Sequence, residues 1–276
     1  MRSLLVAVLF PAFLGAAPDA LQIVRPVISR TDDGVNEPKG SEHTGGDVLY
    51  FSCRVANYGK SADQQVKLAY AVEVFDPHGV PLMEPVKSEI AEEVSAEDKE
   101  WLPRIAAEIA LPGAAPPGAY KIVVKVDDAV AHTTASLDVP FQVRGRVVPP
   151  TGKLTVQNLH CYSGEEDTKP LDNPVYKAGD SLWVRFDVTG FKTGEKNQVD
   201  VSYVFSVLAA DGTVMWTAPE PVVDQGDSFY PKPFLSGAFS INVQSSVKPG
   251  EYAIGVKVTD AVGKQTISAK QPFTVQ

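Results

Sequence analysis

Two cysteines, four histidines and three methionines are all that 276 residues hold of these types. So few cysteines exclude a disulfide-dense scaffold. The histidines are His43, His78, His132 and His160. No two stand at metal-ligand spacing, and none pairs with a cysteine at finger or ribbon spacing. They read as solvated loop residues. There is no Gly-x-Ser-x-Gly elbow and no His-Glu-x-x-His. Gly59-Lys60-Ser61 imitates the end of a phosphate loop, but Arg54 stands where that loop needs glycine, and its flanks read as strands. The expectation is therefore no catalytic set, no metal and no cofactor. Positive charge is also short: 25 Lys and Arg against 34 Asp and Glu leave a net charge of −9. Such a surface repels phosphate backbones and anionic membrane surfaces. An apolar share of 44% with 21% charged residues excludes general disorder and a polytopic membrane protein.

The one sustained apolar run opens the chain. Arg2 supplies a positive start, Leu4 to Leu14 is apolar, and Gly15-Ala16-Ala17 offers small residues for cleavage. This is the three-part form of a secretory signal peptide over residues 1–17. The alternative, a membrane anchor, needs a run of about 20 residues, and Pro11 interrupts this shorter one. A lipoprotein needs a cysteine directly after the run, and the first is Cys53. No later segment is apolar enough to span a bilayer. The expected location is extracytoplasmic, either periplasmic or secreted, with no transmembrane segment in the mature chain.

The chain then says one thing twice. Asp47-Val48-Leu49-Tyr50-Phe51-Ser52-Cys53-Arg54-Val55 matches Asp180-Ser181-Leu182-Trp183-Val184-Arg185-Phe186-Asp187-Val188 at an offset of 133. Val66, Tyr70, Val74 and Gly79 meet Val199, Tyr203, Val207 and Gly212 at the same offset. Later the offset is 132: Gly118-Ala119-Tyr120 through Val130 faces Gly250-Glu251-Tyr252 through Val262, and Pro140-Phe141-Gln142-Val143 faces Pro272-Phe273-Thr274-Val275. One deletion in a loop accounts for the drift. Two copies of this length indicate two domains and not a solenoid, which needs more and shorter units.

Each copy alternates with period two. Leu49, Phe51, Cys53 and Val55 share one parity, as do Leu182, Val184, Phe186 and Val188. One face of each strand is buried and the other wet. Turn residues such as Asp76-Pro77-His78-Gly79, Asp211-Gly212 and Lys248-Pro249-Gly250 punctuate the runs. About seven strands per copy suits a sandwich of two sheets. Glu89–Ala110 has helical propensity. Its partner segment, Gln225–Val243, carries Pro231, Pro233 and Gly237 and cannot be one helix. Ile105–Leu111 is therefore expected as a strand, with room for a short helical turn before it.

Pro117-Gly118-Ala119-Tyr120 with Lys125-Val126-Asp127, and Pro249-Gly250-Glu251-Tyr252 with Lys257-Val258-Thr259-Asp260, resemble tandem bacterial immunoglobulin-like domains of secreted proteins. The resemblance covers essentially the whole mature chain. It implies an all-β fold of two tandem immunoglobulin-like sandwiches, with each tyrosine at a tyrosine corner. The domains are expected at 18–145 and 153–276, joined by a Pro-rich, semi-rigid linker at 146–152. The antibody-type Cys–Trp–Cys pattern is absent, since Phe186 stands opposite Cys53.

Four further expectations follow. Cys53 and Cys161 fall at core positions of separate copies and are expected as buried, unpaired thiols. The loop carboxylates Asp32-Asp33 and Glu165-Glu166-Asp167, and Asp127-Asp128 and Asp260 at strand ends, invite a calcium reading. A solvated acidic surface is the preferred alternative. Tyr50 and Trp183 occupy equivalent positions opposite the core parity and are the candidate binding residues, since exposed aromatics stack on sugars or anchor proteins. Packing under loops or at the domain junction is the alternative for these two and for Trp216, Phe229 and Tyr230. The expected function is a non-catalytic binding or spacer module for protein or polysaccharide. The alternative is an enzyme or protease-inhibitor-like protein whose loops build a site without a motif.

Overall fold

The computed structural model describes residues 20–38 and 40–276; the expected signal segment, 1–17, lies outside them. The strands of the N-terminal half are β1 (Gln22–Ser29), β2 (Glu42–Thr44), β3 (Val48–Ala56), β4 (Gln65–Phe75), β5 (Val86–Glu93), β6 (Arg104–Ala110), β7 (Gly118–Asp128) and β8 (Thr133–Arg144). Those of the C-terminal half are β9 (Thr155–Tyr162), β10 (Val175–Tyr176), β11 (Ser181–Thr189), β12 (Val199–Ala209), β13 (Val214–Thr217), β14 (Val222–Gly226), β15 (Leu235–Asn242), β16 (Gly250–Asp260) and β17 (Gln265–Val275). The helical content of the described residues is one 3-10 turn, Glu195–Asn197. Among them no helix is long and apolar enough to cross a membrane.

The protein is all-β and sandwich-like, and the two halves repeat one topology. β1-β3-β6 and β2-β8-β7-β4-β5 are the sheets of the first half. β9-β11-β15 and β10-β17-β16-β12-β13 are those of the second, with β14 also on β12. Pairing is antiparallel except for the short β2–β8 and β10–β17 pairs, which are parallel. The alternating residues of the two sheets in each half meet in one cluster. Leu49, Phe51, Cys53 and Val55 from β3 share it with Val66, Leu68, Ile122 and Val124. Leu182, Val184, Phe186 and Val188 share the other with Val199, Val201, Ile254 and Val256. Burial of these faces holds the sheets together, since period-two alternation leaves the opposite faces in water.

Matched positions in the two cores compensate in volume. Cys53 faces Ile105 across β3 and β6, whereas Phe186 faces Gly237 across β11 and β15. A methyl group on Gly237 would run into the Phe186 ring.

Three expectations need correction. The space allowed for a helical turn before β6 holds turns instead, closed by Asp98 N–H to the Ser95 carbonyl (3.1 Å) and Trp101 N–H to the Asp98 carbonyl (3.4 Å). The strand expected at Ile105–Leu111 forms, displaced by one residue to Arg104–Ala110. More strands form than about seven per half, because β2 and β10 are added and β5 was unread. β5 is a sheet edge with four glutamate or lysine side chains, and such charge hides a strand while guarding its edge. In the second half the matching edge is divided into β13 and β14 around Pro219 and Pro221, which cannot donate to the ladder.

Candidate functional site

Two local devices recur at the repeat offset. Tyr120 donates its hydroxyl to the Pro116 carbonyl at 2.6 Å, and Tyr252 donates to the Lys248 carbonyl at 2.9 Å. Each ring lies against a phenylalanine of the last strand, Phe141 at 5.5 Å and Phe273 at 5.7 Å between centroids. Asp128 accepts three backbone N–H groups, from Gly59 (2.6 Å), Val130 (2.9 Å) and Ala131 (3.0 Å). Asp260 accepts from Lys192 N–H (2.9 Å), Gly263 N–H (2.8 Å) and the Gln265 amide (3.2 Å). Both carboxylates are 0% exposed. They are therefore not part of a solvated acidic surface; they fasten the loops at the strand ends by satisfying donors that burial would otherwise strand.

Among the exposed loop carboxylates, Asp32, Asp33 and Asp167 have protein partners as well. Arg104 bridges to Asp33 at 2.6 Å and to Asp32 at 3.5 Å. Asp167 accepts the Ser163 hydroxyl at 2.7 Å. No group of three or more His, Cys, Asp or Glu side chains stands together to hold a metal among the described residues. Among the histidines, His78, His132 and His160 are exposed, but His43 is buried in β2, edge-on to Phe141. Its Nε2 lies 3.6 Å from Glu37. Burial lowers the imidazole pKa, with Glu37 pulling the other way.

Cys53 and Cys161 are free and buried. Burial pushes the Cys53 thiol up to about 12, against a small downward pull from Arg54. It pushes Cys161 up to about 11, with Tyr176 opposing. Neither thiol has the electropositive, open setting of a reactive one.

Tyr50 and Trp183 sit half-buried on the outward faces of β3 and β11, the central strands of the two three-stranded sheets. Tyr50 is flanked in register by Ser29 and Glu108, and Trp183 by Tyr162 and Ser240. They lie in separate sheets and are not brought together. Of the remaining aromatics, Trp216 and Phe229 are exposed, while Tyr230 is buried.

Tyr230 is where the halves meet. It joins the core cluster of the N-terminal half, and its hydroxyl donates to Asp76 Oδ2 at 2.9 Å. Asp76 is itself buried and also takes the N–H groups of His78 (2.8 Å) and Val80 (2.7 Å). Burial, then the hydrogen bond to Asp76, raises the Tyr230 phenol above its ordinary range. The Tyr230 loop is braced by Asn197, which donates to the carbonyls of Ser228 (3.1 Å) and Phe229 (2.8 Å). The connection between the halves is tied down too. Arg146 forks onto both carboxylate oxygens of the buried Asp187 and stacks over Phe234.

A groove of about 770 Å³ opens between the sheets of the C-terminal half. Leu182, Val207, Val247, Tyr252, Ile254 and Phe273 line its floor, and Met215 and Trp216 form one lip. Its volume is within the range of natural ligand sites. The sequence held a signal for it, because Met215 stands at the repeat position of Leu82. Leu82 is 4% exposed and belongs to the core, whereas Met215 is 62% exposed. A register irregularity between Val207 and Leu208 on β12, opposite Trp216 and Val214, places Met215 in a bulge and turns it outward. No protein-family model matches the chain, and comparison with curated proteins found no match.

Proposed function

We propose that the chain is a secreted or periplasmic protein of two tandem immunoglobulin-like domains, 18–145 and 153–276 joined by 146–152. In this reading it serves as a non-catalytic binding or spacer module for protein or polysaccharide. The observation that carries it is the duplication of a whole sandwich-like unit. The copy extends to the tyrosine hydroxyl bonds of Tyr120 and Tyr252 and to the buried loop-holding Asp128 and Asp260. A second linked module adds avidity to binding, while a catalytic site gains little from a copied scaffold. The strand-end carboxylates Asp128 and Asp260 are taken up with holding backbone and amide donors. Tyr50 and Trp183, half-buried aromatics at matched positions, are the residues to test first.

The experiment is co-sedimentation of the purified protein with cell-wall and polysaccharide fractions, alongside affinity capture from extracytoplasmic protein. The expected result is saturable retention that Tyr50→Ala or Trp183→Ala weakens. Equal retention by both variants removes these aromatics from the surface that binds. Turnover of a substrate, abolished by one polar substitution, overturns the non-catalytic reading.

A further inference from the structure

The two halves treat one position in their common topology in opposite ways. In the N-terminal half the mouth between the sheets, walled by Val74, Tyr120, Ile122 and Phe141, is filled by Leu82 and by Tyr230 from the other half. In the C-terminal half the equivalent walls, Val207, Tyr252, Ile254 and Phe273, enclose the groove. Met215 and Trp216 stand at its lip, 62% and 44% exposed. The first mouth thus shows what such a mouth takes: an aromatic side chain delivered by a loop.

We propose that the groove of the C-terminal half receives an extended segment of a partner protein through an aromatic side chain without a hydroxyl. This rests on the binding-module reading and names the partner's chemistry. Three observations specify the occupant. First, the hydroxyl of Tyr230 is held by Asp76, and the repeat position of Asp76 is Ala209, which offers no acceptor. An occupant seated as Tyr230 is would find no carboxylate at that position, so a phenylalanine side chain fits it better than a tyrosine, whose hydroxyl would lack the carboxylate partner it has in the first half. Second, the groove is lined by Ser240, Asn242, Gln244, Ser246 and Lys248 on its polar side and by no carboxylate. In a chain of net charge −9, one lysine and no acid at the lip favours a segment with acidic flanks. Third, β13 and β15 flank the groove as sheet edges, each paired on one side only, so their outer backbone groups can hold an extended chain.

The probe is the blocked octapeptide Asp-Ser-Phe-Phe-Pro-Glu-Pro-Phe, which is segment 227–234 with Y230F and K232E. It is titrated into the full chain while the Met215 methyl and Trp216 indole signals are followed by NMR. Both signals are expected to move along one saturable isotherm. The same peptide with tyrosine restored should bind about tenfold more weakly, because its hydroxyl enters without a carboxylate partner. Ala209→Asp should reverse that order. Val247→Trp, which fills the groove, should abolish the isotherm while the native cysteines remain protected, which shows that the variant is folded. No saturable shift overturns the proposal, as does a shift that survives Val247→Trp. Entry of anilinonaphthalene sulfonate without the peptide overturns it in favour of a small apolar ligand. Shifts that depend on protein concentration alone overturn it in favour of a second copy. If Val247→Trp still binds the retained fraction at full strength, the groove is not the site and the binding-module reading stands. Substrate turnover instead removes that reading, whatever the peptide does.

Discussion

Tyr230, in the loop before β15, gives its hydroxyl to Asp76, the first residue of the turn after β4, across 154 residues of sequence. The bond is buried at both ends, and Asp76 already holds two backbone N–H groups of its own turn. One carboxylate therefore shapes a turn of the first half and anchors a side chain of the second. Tyr230→Phe removes one donor from a buried carboxyl group, and a loss of about 1–3 kcal/mol is expected. Denaturant unfolding measures it. Tyr230→Ala should lose more, because the ring also leaves the core, and it should speed proteolysis within 145–152. Unchanged stability in both variants contradicts the contact.

Phe186 and Gly237 fit each other as Cys53 and Ile105 do in the first half. Gly237→Ala forces the Phe186 ring to shift, and overpacking of this kind costs about 1–3 kcal/mol. Phe186→Cys alone leaves a cavity and costs at least as much. The double variant Phe186→Cys with Gly237→Ile reproduces the pair found in the N-terminal half. It is expected to be more stable than the sum of its single changes by at least 1 kcal/mol, measured as a double-mutant cycle. Simple additivity would show that the two positions are not coupled.

The thiols give a pH-labelled prediction. With Cys53 raised to about 12 and Cys161 to about 11, almost no thiolate exists at pH 8. Labelling of the native protein by a disulfide reagent should then proceed only through opening of the fold. Denaturant should release two reactive thiols per chain. Rapid labelling of either one, or a disulfide found without reduction, contradicts this.

His43 gives a second. Its folded pKa is lowered from 6.5 by burial, so the unfolded chain binds the proton more tightly. The stability linked to this residue is fully present above pH 6.5 and falls as the pH drops below it, until the lowered folded pKa is passed. Urea unfolding at pH 7.5 and 5.5 should show a larger loss on acidification for the native protein than for His43→Leu. Equal losses would place the titration elsewhere.

Much of the fold was legible because it is written twice. Alternation in Leu49–Val55 and Leu182–Val188 is a local signal, and the repeat tested each reading against its partner. The free thiols were legible for the same reason, since Cys53 and Cys161 each sit on a core parity. What escaped depends on position in space. β5 hid behind its edge charges. His43 was read as a loop residue because a three-residue strand leaves no periodicity. Asp128 and Asp260 looked like surface acids because their backbone donors lie elsewhere in sequence, Gly59 and Lys192 among them. The groove was half legible: the Leu82–Met215 equivalence was present, but the bulge that turns Met215 outward is not a pattern of residue types.

The contrast between a filled mouth and an open one supports both the junction and the groove, and labelling at two matched positions tests it most directly. Leu82→Cys and Met215→Cys are made singly, with the slow native cysteines left in place, and treated with a thiol reagent under native conditions. Met215→Cys should label at the rate of an unstructured peptide, and Leu82→Cys only as fast as the protein unfolds. Equal rates at the two positions would contradict it.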